Sequence, residues 1–321
     1  MARFLVHIGY PKAGSTTLQR GLFGGGHPEL IPLGEPGPAS GAYPKPGGGL
    51  FCDPGGEGYL PFAFDEARAK ARLAELAPGD GVYVLSNEDW TGHPFSGGQA
   101  AKEIAERIEA VMPEARILIV IREQVGMALS AYAHALTKTH GAMSLEDFLR
   151  PKMTSQVPGF DLTYLLYGRL VAHYRKLFGE NRVLVLPLED MAKDRAAFEA
   201  RLCAFAGVDP PPDRPAEARE NTRDYRDYAA LRRAPRLNLL GRSTPSNGFA
   251  GLKAQKLRTG LVKAVRLTIS DEAARRRREA DEAIIREWAT EAVAEDNARL
   301  AAMTGLDLSA HGYLLPKAAV S

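Results

Sequence analysis

Residues 9–17 read Gly9-Tyr10-Pro11-Lys12-Ala13-Gly14-Ser15-Thr16-Thr17. They follow the apolar run RFLVHI (Arg3–Ile8) and open a helical pattern, Ser15–Phe23. The two glycines have the G-x-x-x-x-G spacing of a phosphate-binding loop, in the strand–loop–helix setting where such a loop works. Backbone N–H groups at a helix start and the positive end of the helix dipole favour an anion there. In loops that hold a nucleoside triphosphate, a lysine follows the second glycine and reaches the β- and γ-phosphates. Here Ser15 takes that place, and Lys12 stands inside the loop, suited to a group beside a 5′-phosphate rather than to a triphosphate tail. Ser15, Thr16 and Thr17 add hydroxyl donors. A plain helix N-cap by Ser15 or Thr16 is the simpler reading of the same residues.

Working outward, Val82–Ser86 (VYVLS), Arg116–Ile121 (RILIVI) and Arg182–Pro187 (RVLVLP) repeat the short, continuous apolar pattern of Arg3–Ile8. Such runs read as buried, parallel strands. Between them, Phe64–Leu76, Gln99–Met112, Val125–Thr137, Leu162–Phe178 and Arg195–Ala206 carry apolar residues at three- and four-residue spacing, the helical period. The alternation predicts a three-layer α/β fold, P-loop-like, with a central mainly parallel sheet flanked by helices. Ligands in such folds bind beyond the carboxyl ends of the strands. That directs attention to residues 9–17, 86–90 and 122–130. Gly24–Pro61 breaks the pattern: 12 of its 38 residues are Gly and 8 are Pro, so no regular element is expected there. A loop this long suits a cover over an acceptor site.

The strand RILIVI ends in Arg122, where a Mg²⁺-dependent triphosphate enzyme would place a carboxylate, and Ser130 follows eight residues later in REQVGMALSAY. An arginine fork suits phosphate oxygens. Taken together, Pro11-Lys12-Ala13-Gly14-Ser15-Thr16 after one strand and Arg122 with Ser130 after another resemble the sulfotransferases that use 3′-phosphoadenosine 5′-phosphosulfate (PAPS). LSNEDWTG (Leu85–Gly92), MSLEDFL (Met143–Leu149), YRKLFGENRVLVLPLEDM (Tyr174–Met191) and NARLAAMTGLDLSAHGY (Asn297–Tyr313) are similar to segments of a bacterial branch of that family. The resemblance implies a single sulfotransferase domain over 1–321, with 24–61 as acceptor-side loop and 223–321 as a basic and helical C-terminal part.

It also implies roles. Pro11, Lys12, Ala13, Gly14, Ser15, Thr16 and Thr17 would bind the cofactor, Gly14 to Thr17 holding its 5′-phosphate, and Arg122 and Ser130 the 3′-phosphate. Lys12 would stabilise the leaving phosphate oxygen as sulfuryl passes to an acceptor hydroxyl, leaving adenosine 3′,5′-bisphosphate (PAP). No metal is required, since Lys12 and the phosphate sites supply the positive charge. The better-known eukaryotic enzymes place a histidine base at the end of the middle strand. Here Ser86-Asn87-Glu88 occupies that place, so Glu88 is the candidate base and Glu35 the second. His93, His134 and His140 are weaker candidates near the acceptor, and His7 reads as a core histidine. Tyr132, Tyr164 and Tyr167 read as core, and Trp90 as core or pocket wall. For the adenosine end only Arg242–Lys253 offers a loose match.

Composition limits the alternatives. With 45% hydrophobic and 25% charged residues the chain is ordinary globular material. Cys52 and Cys203 match no metal spacing, and with no secretory pattern or membrane-length apolar run they fit a reducing, cytoplasmic setting. The formal charge of +2 conceals a basic stretch, residues 223–278, where 15 Lys/Arg face 4 Asp/Glu. A solvated face is one reading of it. Peripheral contact with an anionic membrane surface is another, because basic and apolar residues are mixed. Nucleic acid is not expected, because no reader motif accompanies the charge. The acceptor is expected to be a small molecule, glycan or glycolipid. A kinase or other phosphotransferase on the same core, or a non-catalytic adenosine bisphosphate-binding module, remain the competing functions.

Overall fold

The computed structural model of the chain describes residues 2–33, 50, 62, 64–137, 142–150, 153–154, 157–211, 225–234, 236–238, 248–289 and 291–316. They gather into two compact units, each built from discontinuous segments.

The first unit comprises residues 1–123, 163–217 and 292–321. At its centre is a five-stranded sheet of β1 (Ala2–His7), β2 (Leu30–Pro32), β3 (Gly81–Ser86), β4 (Arg116–Ile121) and β5 (Val183–Pro187). The order is β2-β3-β1-β4-β5, and every pairing is parallel. Leu5, Val6, Val84, Leu85 and Ile117 to Ile121 are fully buried, which is why the sequence shows continuous apolar runs instead of alternation. Helices α1 (Ser15–Arg20), α2 (Glu66–Leu76), α3 (Ala101–Val111), α6 (Tyr167–Phe178), α7 (Leu188–Lys193), α8 (Arg195–Ala206) and α12 (Glu291–Thr304) accompany the sheet. This is the three-layer α/β architecture the strand–helix alternation predicts.

One expectation is corrected. Leu30–Pro32, inside the Gly/Pro-rich segment, is a strand: Leu30, Ile31 and Pro32 pair in parallel with Val82, Tyr83 and Val84. It lies at the sheet edge, where proline's missing N–H is tolerated. The π-helical turn Leu22–Gly26 precedes it, with Gly25 at φ 99°. Most of the remaining segment, including Glu35 and Cys52, lies outside the described residues, as does His140.

The second unit comprises residues 124–162 and 218–291. It contains α4 (Gln124–Thr137), α5 (Leu145–Leu149), α9 (Tyr225–Arg233), α10 (Gly248–Leu267) and α11 (Asp271–Trp288). Tyr132, on α4, packs its ring against Phe148 and Tyr228 and donates its hydroxyl to Met143 O at 3.0 Å. The buried Asp281 accepts from Tyr228 and Arg232. Its charge is thus met by a guanidinium and a hydroxyl, the condition under which a carboxylate survives burial. Tyr132 is core, as its helical position predicts.

Candidate active site

Strand order reverses at β1, whose neighbours β3 and β4 are reached by connections leading in opposite directions; this is where an open α/β sheet leaves a crevice. The Gly9–Thr17 loop leaves β1 at that point. The pairing with β4 runs on past the strand: Tyr10 N donates to Val120 O, and Val120 N to Gly9 O, both at 2.7 Å. Gly9 has φ 109°, and a Cβ there would meet the Glu88 carbonyl oxygen at 2.9 Å and Glu88 Cα at 3.0 Å. The loop therefore rests directly on the backbone of the candidate base, and only glycine allows that approach.

Gly14, at φ 86°, is the N-cap residue of α1, and among the described residues no side chain caps this helix. Ser15 Oγ donates to Tyr10 O at 3.3 Å across the loop. The simpler N-cap reading of Ser15 or Thr16 is thus not realised. Lys12, Thr16 and Thr17 are half-buried around this helix start. Lys12 holds φ 66°, and Ala100 is the one other described non-glycine residue with positive φ. Arg122, at the end of β4, donates from Nη1 to Lys12 O at 3.3 Å. The Arg122 carbonyl in turn accepts from Tyr167 Oη at 2.8 Å. The rings of Tyr167 and Tyr164 pack edge-on against Tyr10, and all three phenols are buried, which pushes their titration upward.

Glu88 opens a 3-10 turn, Glu88–Thr91, after β3. Asn87 Oδ1 caps it by accepting from Asp89 N at 3.0 Å, and Asn87 N is fixed to His7 O at 3.0 Å. The carboxylate is held from α1: Gln19 Nε2 donates to Glu88 Oε2 at 3.1 Å and to Ser86 Oγ at 3.0 Å. Ser86 Oγ also bonds His7 Nδ1 at 2.7 Å, while the buried His7 Nε2 has no hydrogen-bond partner among the described residues. Burial pulls the His7 pKa down to about 4, partly opposed by the nearby Glu88 charge. His7 is therefore neutral near pH 7, a core histidine as its position in the strand predicts.

Lys12, Gly14, Ser15, Thr16, Thr17, Glu88 and Arg122 thus gather at the carboxyl ends of β1, β3 and β4 within one unit. Ser130 lies buried on α4 in the second unit. Trp90 is 2% exposed and belongs to the core. His93 is exposed and turned to a local task, accepting from Phe95 N at 3.2 Å. Sequence reasoning missed Gln19, Tyr167 as the support of Arg122, and Glu189. Glu189 accepts from Glu123 N at 3.0 Å and from Tyr313 Oη at 3.2 Å. Of these, only Gln19 left a signal, standing one helical turn after Ser15.

A cavity of about 310 Å³ lies at the opposite, amino ends of the strands, lined by Arg3, Arg116 and Arg182 among others. Arg3 and Arg116 donate there to the carbonyls of Gly207 and Phe205 at the end of α8, so these cations serve as helix caps.

The fold and the loop define a P-loop-like α/β protein whose first helix opens at Gly14 directly after β1. Residues 101–212 match the model described as the sulfotransferase family, a span that takes in β4, Arg122, Ser130 and β5. The match bears out the resemblance through the second motif, Arg122 with Ser130; the Gly9–Thr17 loop lies outside the matched span. Among solved structures, a sulfotransferase from Alicyclobacillus acidocaldarius is similar, with a TM-score of 0.46 and 22% identity, covering 74% of this chain and 94% of that one. Mouse sulfotransferase SULT7A1, complexed with PAP, has a TM-score of 0.34 and 13% identity, covering 85% of this chain and 86% of that one. No curated protein matches the chain.

Proposed function

We propose that this protein is a PAPS-dependent sulfotransferase acting on a hydroxyl of a small molecule, glycan or glycolipid. The observation that carries the reading is the meeting of three groups in one unit. Lys12 lies in the loop, Glu88 lies against Gly9 of the same loop, and Arg122 is bonded to the Lys12 carbonyl. The uncapped start of α1, with Thr16 and Thr17 beside it, fits the 5′-phosphate. Arg122 fits the 3′-phosphate as a forked donor. Ser130 enters the reading on its sequence spacing alone.

When bound, the cofactor supplies the sulfuryl group, whose S–O bond to the 5′-phosphate breaks as one to the acceptor oxygen forms. Lys12 holds a cation where the departing oxygen gains charge, so it stabilises the transition state more than the ground state. Glu88 takes the proton of the attacking hydroxyl. Gln19 fixes one carboxylate oxygen, Oε2, and leaves Oε1 to receive that proton. Lys12 supplies the needed cation, so the chemistry calls for no metal.

The deciding experiment is thermal stabilisation by adenosine 3′,5′-bisphosphate, beside ATP with Mg²⁺ and AMP. A ligand at 100 times its dissociation constant adds about 2.7 kcal/mol to the folded state, an easily resolved shift. Stabilisation by the bisphosphate without metal is expected. A preference for ATP with Mg²⁺ would replace this reading with a phosphotransferase.

A further inference from the structure

Helix α10 carries an unusual distribution of side chains. Its sequence, GFAGLKAQKLRTGLVKAVRL, has five basic residues and no acidic one. The inward side is anchored by a polar chain: the buried Arg258 donates to Asn238 Oδ1 at 2.9 Å, and Asn238 Nδ2 to Leu136 O at 2.9 Å. Arg266 pairs with Asp227 at 3.1 Å. The outward side is the apolar one. Leu257, Leu261 and Leu267 are 57%, 38% and 85% exposed, three of the seven exposed large hydrophobic residues described. At 3.6 residues per turn, Leu257, Leu261 and Ala264 form one stripe, with Leu267, Lys256 and Lys263 along its flank. Among the described residues, neither lysine makes an ion pair. Helix α11 differs: it carries acidic residues along its length, and Arg276 pairs with Glu272 and Arg278 with Glu282.

We propose that the outward face of α10 docks on an anionic lipid surface. Leucines flanked by unpaired lysines match the acyl–headgroup boundary, where the apolar stripe is buried and the ammonium groups meet lipid phosphates and carboxylates. The charge complementarity is one-sided, since a helix without a carboxylate offers a second copy of itself only repulsion. The helix lies on the membrane: among the described residues, no helix is long and apolar enough to cross one.

The test is co-sedimentation of the full chain with phosphatidylcholine vesicles, with and without phosphatidylserine. Binding is expected with phosphatidylserine, weakening as salt rises, and much less without it. The pair Leu257→Ser and Leu261→Ser should lower the affinity roughly tenfold or more, and Lys256→Glu with Lys263→Glu similarly. All four positions are exposed, so thermal stability should stay unchanged. Lys102→Glu, on α3 of the other unit, should leave binding intact. Three results would overturn the proposal: no binding of the unaltered chain to phosphatidylserine vesicles, equal binding by the serine pair, or a concentration-dependent dimer in solution that the serine pair abolishes.

Discussion

Arg122 reaches back from the end of β4 to the loop before α1, its Nη1 donating to the carbonyl oxygen of Lys12 at 3.3 Å. One guanidinium thus braces the backbone of the residue whose ammonium the proposed chemistry uses, and keeps its other donors for an anion. Tyr167 fixes the Arg122 backbone in turn. Lysine in its place would keep the charge but not the fork. Arg122→Lys should therefore weaken adenosine 3′,5′-bisphosphate roughly tenfold or more while binding AMP nearly as before. Calorimetric titration of both nucleotides checks this. Equal losses for both would assign Arg122 to bracing alone.

Lys12 sits at φ 66°, a left-handed conformation that costs a residue with a Cβ about 1 kcal/mol relative to glycine. Strain of this kind is kept where function demands the side chain. Lys12→Gly should raise unfolding free energy by about 1 kcal/mol and lose sulfuryl transfer. Lys12→Ala should lose transfer without that gain. Denaturant unfolding and turnover on the same samples test the pair. A Lys12→Gly protein that still turns over normally would remove Lys12 from the mechanism.

Much of this site was legible because its parts are local. A strand, a glycine spacing and a displaced lysine all lie in seventeen residues, and the parallel-strand rule brings Glu88 and Arg122 to the same end of the sheet. What was hidden depends on partners far apart in sequence. Gln19 reaches Glu88 and Ser86 across more than sixty residues, and Tyr167 meets the Arg122 carbonyl forty-five residues away. No periodicity encodes such a bond. Strand β2 escaped for another reason: three residues beside Pro28 and a glycine run have too short a pattern to outweigh their surroundings. Trp90 was balanced between core and wall because the residue type fits both, and only burial decides.

Gln19 cannot pass a proton, since an amide neither gains nor loses one near neutral pH. Its bonds to Glu88 Oε2 and Ser86 Oγ therefore position the candidate base without relaying charge. The orientation is dictated by chemistry, because turning the amide over would set its oxygen against a carboxylate. Gln19→Leu should lower kcat roughly tenfold with KM and bisphosphate affinity little changed, the signature of an interaction used in the transition state. Glu88→Gln should lower kcat further, and the double variant should be no worse than Glu88→Gln alone. Additive losses would mean that Gln19 acts elsewhere, and a fully active Glu88→Gln would move the base to Glu35.

His7 links the same network to acid stability. Burial lowers its pKa from 6.5 to about 4, so the folded chain keeps the ring neutral where the unfolded chain would protonate it. A base whose folded pKa is depressed contributes stability above its unfolded pKa and loses it as pH falls toward the folded one. The window is thus pH 6.5 to 4, and the full loss is about 3 kcal/mol. His7→Asn cannot titrate there and keeps a polar partner for Ser86. It should be less stable at pH 7 because of the altered packing, yet lose less between pH 7 and 5 than the unaltered chain. Subtracting the two curves cancels the carboxylates that both proteins share. Parallel curves over that interval would mean that the ring titrates alike in the folded and unfolded chains, so that burial does not hold His7 neutral.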